Sequence, residues 1–192
     1  MNRWQEFNVP RSAPNFYLPN VLKQKTVSLY DLEEYNKIIL AFLPGIWAPW
    51  CRRFLEELSI NSKFYNDTDT YFVTIISQES IQLKDYLSQN KINIDVLADE
   101  NGATGTRYGV FDEKQTEPMR ISKPTVFLLN SNKEICFKFI GNHLSDRPRF
   151  SEIIQMCAEL DYNYNSSPKH ITVPTFKEIS AKKGREFLYH KF

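Results

Sequence analysis

The stretch "PGIWAPWCRRF", residues 44 to 54, sets one thiol, Cys51, beside two tryptophans and downstream of two prolines. Sulfur acts as a nucleophile only as thiolate, so the question is what would hold the anion. Pro49 suits the first turn of a helix. A cysteine in that turn feels unpaired backbone amides and the positive end of the helix dipole, and Arg52 and Arg53 add charge. The spacing therefore predicts a thiol pKa below the free value of about 8.5. Such a thiolate can attack a peroxide O–O bond and become a sulfenic acid, which a second thiol must reset. The place where a dithiol motif would carry that second thiol is Phe54, so Cys51 lacks a local partner for exchange. Of the flanking rings, Trp47 reads as a packing aromatic and Trp50 as a wall of the thiol pocket. The opposing reading is an inert thiol in a fold kept for binding, since cysteine is often buried.

The other cysteines, Cys136 and Cys157, sit in apolar patterns and read as core filling, with a resolving role as the alternative. An odd cysteine count without short spacing argues against a disulfide framework and against a zinc site. His143, His170 and His190 show no ligand spacing, so no metal is expected. No cofactor is required, because sulfur carries the redox change.

The elements that must position Cys51 follow from hydrophobic periodicity. "KIILAFL" at 37 to 43 is a continuous apolar run, a strand buried on both faces and stopped by Pro44-Gly45. From Trp50 the apolar residues Phe54, Leu55, Leu58 and, past a polar break, Phe64 and Tyr65 fall at helical spacing. Strands are predicted at 70–77 and 92–99, with helices at 79–90 and 101–110, the last closed by Gly109. After a charged loop at 111–123, two apolar runs joined by Asn130 to Lys133 read as an antiparallel hairpin. A last helix is predicted over 146–160. Ahead of all this, the proline-rich stretch from residue 10 reads as an extended lead-in with a small hairpin around Thr26 to Leu29. Residues 161–192, with six basic and three acidic side chains, read as a partly ordered C-terminal extension to a domain of residues 1–160.

Composition limits the partners. Twenty-four basic and twenty-three acidic residues nearly cancel, so neither nucleic acid nor an anionic membrane is implied. No apolar run approaches the roughly 20 residues of a membrane-spanning helix. The N-terminus lacks the pattern of a secretory signal, which makes a cytoplasmic location the expectation.

A parallel strand–helix–strand core followed by an antiparallel hairpin and a closing helix is the layer order of a thioredoxin-like three-layer α/β/α sandwich with a mixed central sheet. The residues also carry a resemblance. "SAPNFYLPNVLKQKTVSLYDL", "INIDVLADENGATGTRYGV" and "KPTVFLLNSNKEICFKFIGNHLSDRPRFSEII" resemble, in order, segments of the peroxiredoxin family, the alkyl hydroperoxide reductase or thiol-specific antioxidant family. Pro44 and Cys51 match the first and last positions of its Pro-x-x-x-Thr-x-x-Cys motif, while Ala48 stands at the threonine. Together these segments span about residues 10 to 160.

The resemblance implies an antioxidant peroxidase using a one-cysteine mechanism. Cys51 is then the nucleophile, Pro44 shields the site, and Arg120 or Lys123 supplies the cation that the family places near its fourth core strand. It further implies a peroxide substrate, an external reductant such as thioredoxin or a small thiol, and an assembly for which a homodimer is one option. "WAPWC" is also similar to the thioredoxin active-site segment, and Pro124 sits where that fold places a cis-proline facing the cysteine. A thiol-disulfide oxidoreductase working through mixed disulfides, and a redox-inactive interaction or regulatory protein, are the two alternatives.

Overall fold

The structure is a computed structural model, and it describes residues 3–32, 34–111 and 121–164. The chain divides into two units, Met1–Pro148 and Arg149–Phe192. The first is built on a six-stranded mixed sheet in the order β1-β8-β7-β4-β5-β6. Its strands are β1 (Trp4–Ser12), β4 (Lys37–Leu43), β5 (Thr70–Ile76), β6 (Asp95–Ala98), β7 (Thr125–Leu129) and β8 (Glu134–Ile140).

The apolar run at 37–43 becomes β4, buried along its whole length, with β5 parallel on one side and β7 antiparallel on the other. A strand with neighbours on both edges and cover on both faces favours apolar residues on both, which is why β4 shows no alternation from Ile38 onward. β5 and β6 pair in parallel, and β7 with β8 antiparallel. The turn between β7 and β8 is closed by Asn130, whose side-chain oxygen accepts from the backbone of Asn132 and Glu134, both at 3.0 Å.

Helices α1 (Pro49–Ile60), α2 (Ser62–Asp67) and α3 (Ser80–Gln89) connect the parallel strands. Right-handed crossovers put α1 and α3 on the same sheet face. They lie side by side there: the charges of Glu56 and Arg52 act on the Tyr86 hydroxyl. Phe54 of α1 and Tyr65 of α2 both pack on Phe72 of β5, at 6.3 and 4.8 Å between ring centres. The opposite face is covered by the hairpin of β2 (Tyr17–Pro19) and β3 (Thr26–Ser28), by the short helix α4 (Ala103–Arg107), and by Tyr108 just after it. There Phe42, Tyr108 and Phe127 form a triangle with sides of 5.1, 5.3 and 5.9 Å, anchored by a 2.7 Å hydrogen bond from the Tyr108 hydroxyl to the Pro14 carbonyl. That triangle braces the end of β4, one residue before Leu43 and the loop that carries the thiol.

Three sequence expectations shift. β1, which begins six residues ahead of the expected extended lead-in, pairs antiparallel with β8, its register broken between Glu6 and Arg11 around Pro10, which has no backbone N–H to donate. The single helix expected from Trp50 to Tyr65 breaks at Asn61, whose side-chain amide turns back onto the Glu57 carbonyl at 2.6 Å and ends α1. The last helix, α5, starts at Phe150 instead of 146. Glu152 accepts the Arg149 N–H at 2.6 Å, satisfying one amide at that start. α5 belongs to the second unit, and the expected extension beyond Tyr164 lies outside the described residues. No helix among the described residues is long and apolar enough to cross a membrane.

Candidate active site

β4 ends, Pro44 is buried, and the chain turns through Gly45 to reach α1. Gly45 has φ +153°, and a Cβ there would lie 2.4 Å from Trp47 Nε1 and 2.6 Å from Trp47 Cδ1. Only glycine fits beneath that ring. The turn is held from the side by Gln78, whose Oε1 accepts the Ile46 N–H at 3.1 Å. Gly45→Ala is therefore expected to cost roughly 1–3 kcal/mol through clash and backbone strain. Chemical denaturation with an unchanged m-value would register it, and an unchanged midpoint would contradict this packing.

Ala48 is the N-cap of α1, fully buried, with φ −86° and ψ 121° and no side-chain hydrogen bond to any helix amide. Pro49, at the first helical position, is exposed, and Cys51 follows two residues later with its N–H bonded to the Ala48 carbonyl at 3.0 Å. A threonine at 48 would offer a hydroxyl to the second or third amide of the helix, beside the sulfur. Ala48→Thr is expected to stabilise the chain by about 1 kcal/mol and to raise Cys51 alkylation about tenfold at fixed pH. Iodoacetamide kinetics test this; an unchanged rate would show that the hydroxyl does not reach the thiol.

Cys51 is only 1% exposed. Burial pushes its thiol up to about 11, opposed by a backbone hydrogen bond from Gly45 and by the charge of Arg147. This overturns the expected depressed pKa. Arg52 and Arg53 are exposed on the outer side of α1, because residues adjacent in a helix point in different directions. Desolvation outweighs the helix amides at this buried position.

Among the described residues, the cation whose charge acts on the sulfur is Arg147, which was not legible in the sequence. Arg147 lies in the loop after β8 and reaches back to α1, where its guanidinium pairs with Glu57 at 2.9 Å and stacks 5.1 Å over the Phe54 ring. The loop is held tightly. Gly141 donates to the Pro124 carbonyl at 2.8 Å, and a Cβ on Gly141 would sit 2.3 Å from the Asp146 carbonyl. Asp146 in turn accepts from the Asn142 backbone at 2.9 Å and from Arg3 at 2.5 Å. Pro124, buried at the start of β7, is thus tied to the loop that presents Arg147. Lys123, expected as a candidate cation, donates its N–H to the Val110 carbonyl at 2.8 Å. Arg120 lies outside the described residues.

Trp47 is 49% exposed and rides over Gly45, so it is not the packed aromatic expected from sequence. Trp50 is half-buried, and its indole Nε1 is buried without a hydrogen-bond partner among the described residues. The other two thiols are buried as well. Cys136 is buried on β8, with its own thiol pushed up to about 11 by burial, and Cys157 is buried on α5. The register places Phe42, Thr125 and Ile140 level with one another, so Cys136, four residues back along β8, is about 13 Å further from the Cys51 end of the sheet. A disulfide needs Cα atoms within about 7 Å, which this fold denies to Cys51 and Cys136.

The raised thiols carry a pH consequence. A folded-state pKa raised from about 9 to about 11 contributes stability that is intact below pH 9 and is lost as pH climbs through 11. The melting temperature is expected to fall across that window, and to fall less in Cys51→Ser. A flat profile from pH 8 to 11 would contradict the burial of both thiols.

A mixed sheet whose central strand delivers one cysteine to the first turn of a helix defines a thioredoxin-like thiol protein. Residues 9–138 match the family model described as the AhpC/TSA family, and the chain belongs to that family. Solved structures agree in fold. Peroxidoxin BcpB from Mycobacterium tuberculosis superposes with a TM-score of 0.68 at 16% identity, covering 80% of this chain and 96% of that one. A 2-Cys peroxiredoxin from Plasmodium vivax in its reduced form gives 0.70 at 15% identity, covering 86% and 89%. A peroxiredoxin-like protein from Aquifex aeolicus gives 0.68 at 14%, covering 81% and 89%. No curated protein matches by sequence.

Proposed function

We propose that this chain is a thiol peroxidase that reduces hydrogen peroxide or organic hydroperoxides through Cys51 by a one-cysteine mechanism. Membership of the AhpC/TSA family and the peroxiredoxin fold support the activity. The observation that carries the assignment to Cys51 is its place in the first turn of α1, with the Gly45 backbone and the Arg147 charge both acting to favour its anion.

The thiolate sulfur attacks one peroxide oxygen, the O–O bond breaks, and the departing oxygen takes a proton to leave as water or an alcohol. Cys51 is left as a sulfenic acid. An external thiol condenses with it, releasing water and forming a mixed disulfide, and a further thiol frees Cys51 as the reductant is oxidised. Thioredoxin or a small thiol suits this role, because Cys136 is out of reach. Pro44 and Pro124 shape the walls, Ala48 leaves the amides of the helix start to act without a hydroxyl, and Arg147 takes the part expected of Arg120 or Lys123. In the closed arrangement the thiol is protonated and sealed, so turnover proceeds from a form in which the 44–50 segment admits the oxidant and water. Water there removes the desolvation that raises the pKa and leaves the favourable charges in place.

The reading extends to a redox-active cysteine, a cytoplasmic setting, a homodimer, and a redoxin domain of residues 1–160 followed by an extension. A second reading, a redox-inactive interaction protein on the same fold, is favoured by the sealed thiol and by Ala48. Peroxide consumption with dithiothreitol or thioredoxin decides between them. Sustained loss of peroxide supports the peroxidase, and silence supports the interaction protein. Reduction of insulin disulfides without peroxide turnover would instead indicate an oxidoreductase.

A further inference from the structure

At the other end of the sheet from Cys51 lies a cavity of about 320 Å³, within the usual range for small-ligand pockets. It exists because β6 is shorter than β5. Pairing begins at Val73 with Asp95, so among the described residues Thr70 to Phe72 face no strand on that side. Seven residues of β5 separate this notch from the level of the thiol, roughly 20 Å along the strand.

Two ring pairs line the notch, one on each face of the sheet edge because Tyr71 and Phe72 are successive strand residues: Tyr35 with Tyr71, on the side of Asp95, and Tyr65 with Phe72, on the side of α1 and α2, each 4.8 Å between centres. Asp95 forms the polar end. It accepts from Asn20 at 2.8 Å, from Tyr71 through the phenol, and from Lys23 at 2.7 Å. Burial alone would raise the Asp95 carboxyl, but the hydrogen bonds from Lys23, Tyr71 and Asn20 prevail and hold it below its ordinary value. It is therefore an anion at neutral pH. Glu34 and Asp69 also act on the Tyr35 hydroxyl, so the sign of the field at this ring is negative. Lys23 is the opposing charge, and its side chain is 53% exposed, so its ammonium has water to turn into when another cation takes its place at the carboxylate.

Electron-rich ring faces beside a fixed carboxylate recognise an organic cation. We propose that this cavity binds the ammonium group of a small amine, seated against Asp95 in exchange for Lys23, with its apolar stem against the Tyr35–Tyr71 ring pair. The proposal stands apart from the chemistry of Cys51 and is tested without it. Phenethylamine is titrated into the full chain and followed by amide NMR, with 3-phenylpropionate as the anionic control. Saturable shifts at Tyr35, Tyr71 and Asp95, absent at Cys51 and absent with the carboxylate, are expected. Lys23→Met should tighten amine binding several-fold by removing the competing cation. Tyr35→Leu should weaken it while leaving the dispersed spectrum of a folded chain. No saturable shift at millimolar amine, equal binding of the carboxylate, or weaker binding in Lys23→Met would overturn the proposal.

Discussion

Cys51→Ser is expected to reduce peroxide turnover to the uncatalysed background, while Cys136→Ser retains it. Serine has no oxidisable sulfur, and its hydroxyl does not ionise in the accessible pH range. The substitution keeps nearly the same shape at a site that is 1% exposed, so the fold should persist and the loss should be chemical. Peroxide consumption with excess dithiothreitol, measured beside the melting temperature, separates the two effects. Residual turnover in folded Cys51→Ser would move the chemistry to another thiol.

The second large effect is expected at Arg147. Removing the guanidinium takes away the charge that favours the Cys51 anion and leaves Glu57 without its 2.9 Å partner. Arg147→Ala should lower Cys51 alkylation and peroxide turnover about tenfold, the equivalent of one pKa unit. It should also destabilise the chain by about 1–3 kcal/mol through the orphaned carboxylate. Arg147→Lys should restore part of the rate, since it keeps charge but loses the planar fork that grips Glu57 and lies on Phe54. Glu57→Gln distinguishes positioning from charge: if Glu57 holds Arg147 in place, the alkylation rate falls and its pH profile moves up as in Arg147→Ala, whereas a carboxylate acting only as an opposing charge would give a faster rate and a profile moved down. An Arg147→Ala protein that alkylates as fast as the parent would remove Arg147 from the site.

What the sequence made legible was whatever depends on local periodicity. The run from Ile38 to Leu43 announces a central strand because each residue is apolar, and Pro44-Gly45 announces its end. Pro49 announces the start of α1, and so the place of Cys51 follows from neighbours in the chain. Arg147 is different. It is 96 residues beyond Cys51, and what brings it back is a turn in which Gly141 admits the Asp146 carbonyl and Arg3 of the N-terminal segment grips Asp146. Such contacts leave no periodic trace. The family motif drew attention to cations near β7, and the reach of the later loop was invisible.

The pKa of Cys51 shows the same boundary. Helix start and nearby arginines argue for an anion, and both features are present. The deciding quantity is how completely water is excluded from a thiol that is 1% exposed, and that depends on packing from several elements at once. The same holds for β1: its pairing with β8 is a long-range match of one edge strand, interrupted at Pro10, with too little alternation to signal a strand by itself.

The most direct test of the central claim is to expose the chain to equimolar hydrogen peroxide in the presence of dimedone, which traps sulfenic acid, and to map the adduct by mass spectrometry. A dimedone adduct on Cys51, absent from Cys136 and Cys157 and formed as peroxide disappears, is the predicted result. Peroxide left intact with Cys51 still a free thiol would contradict it.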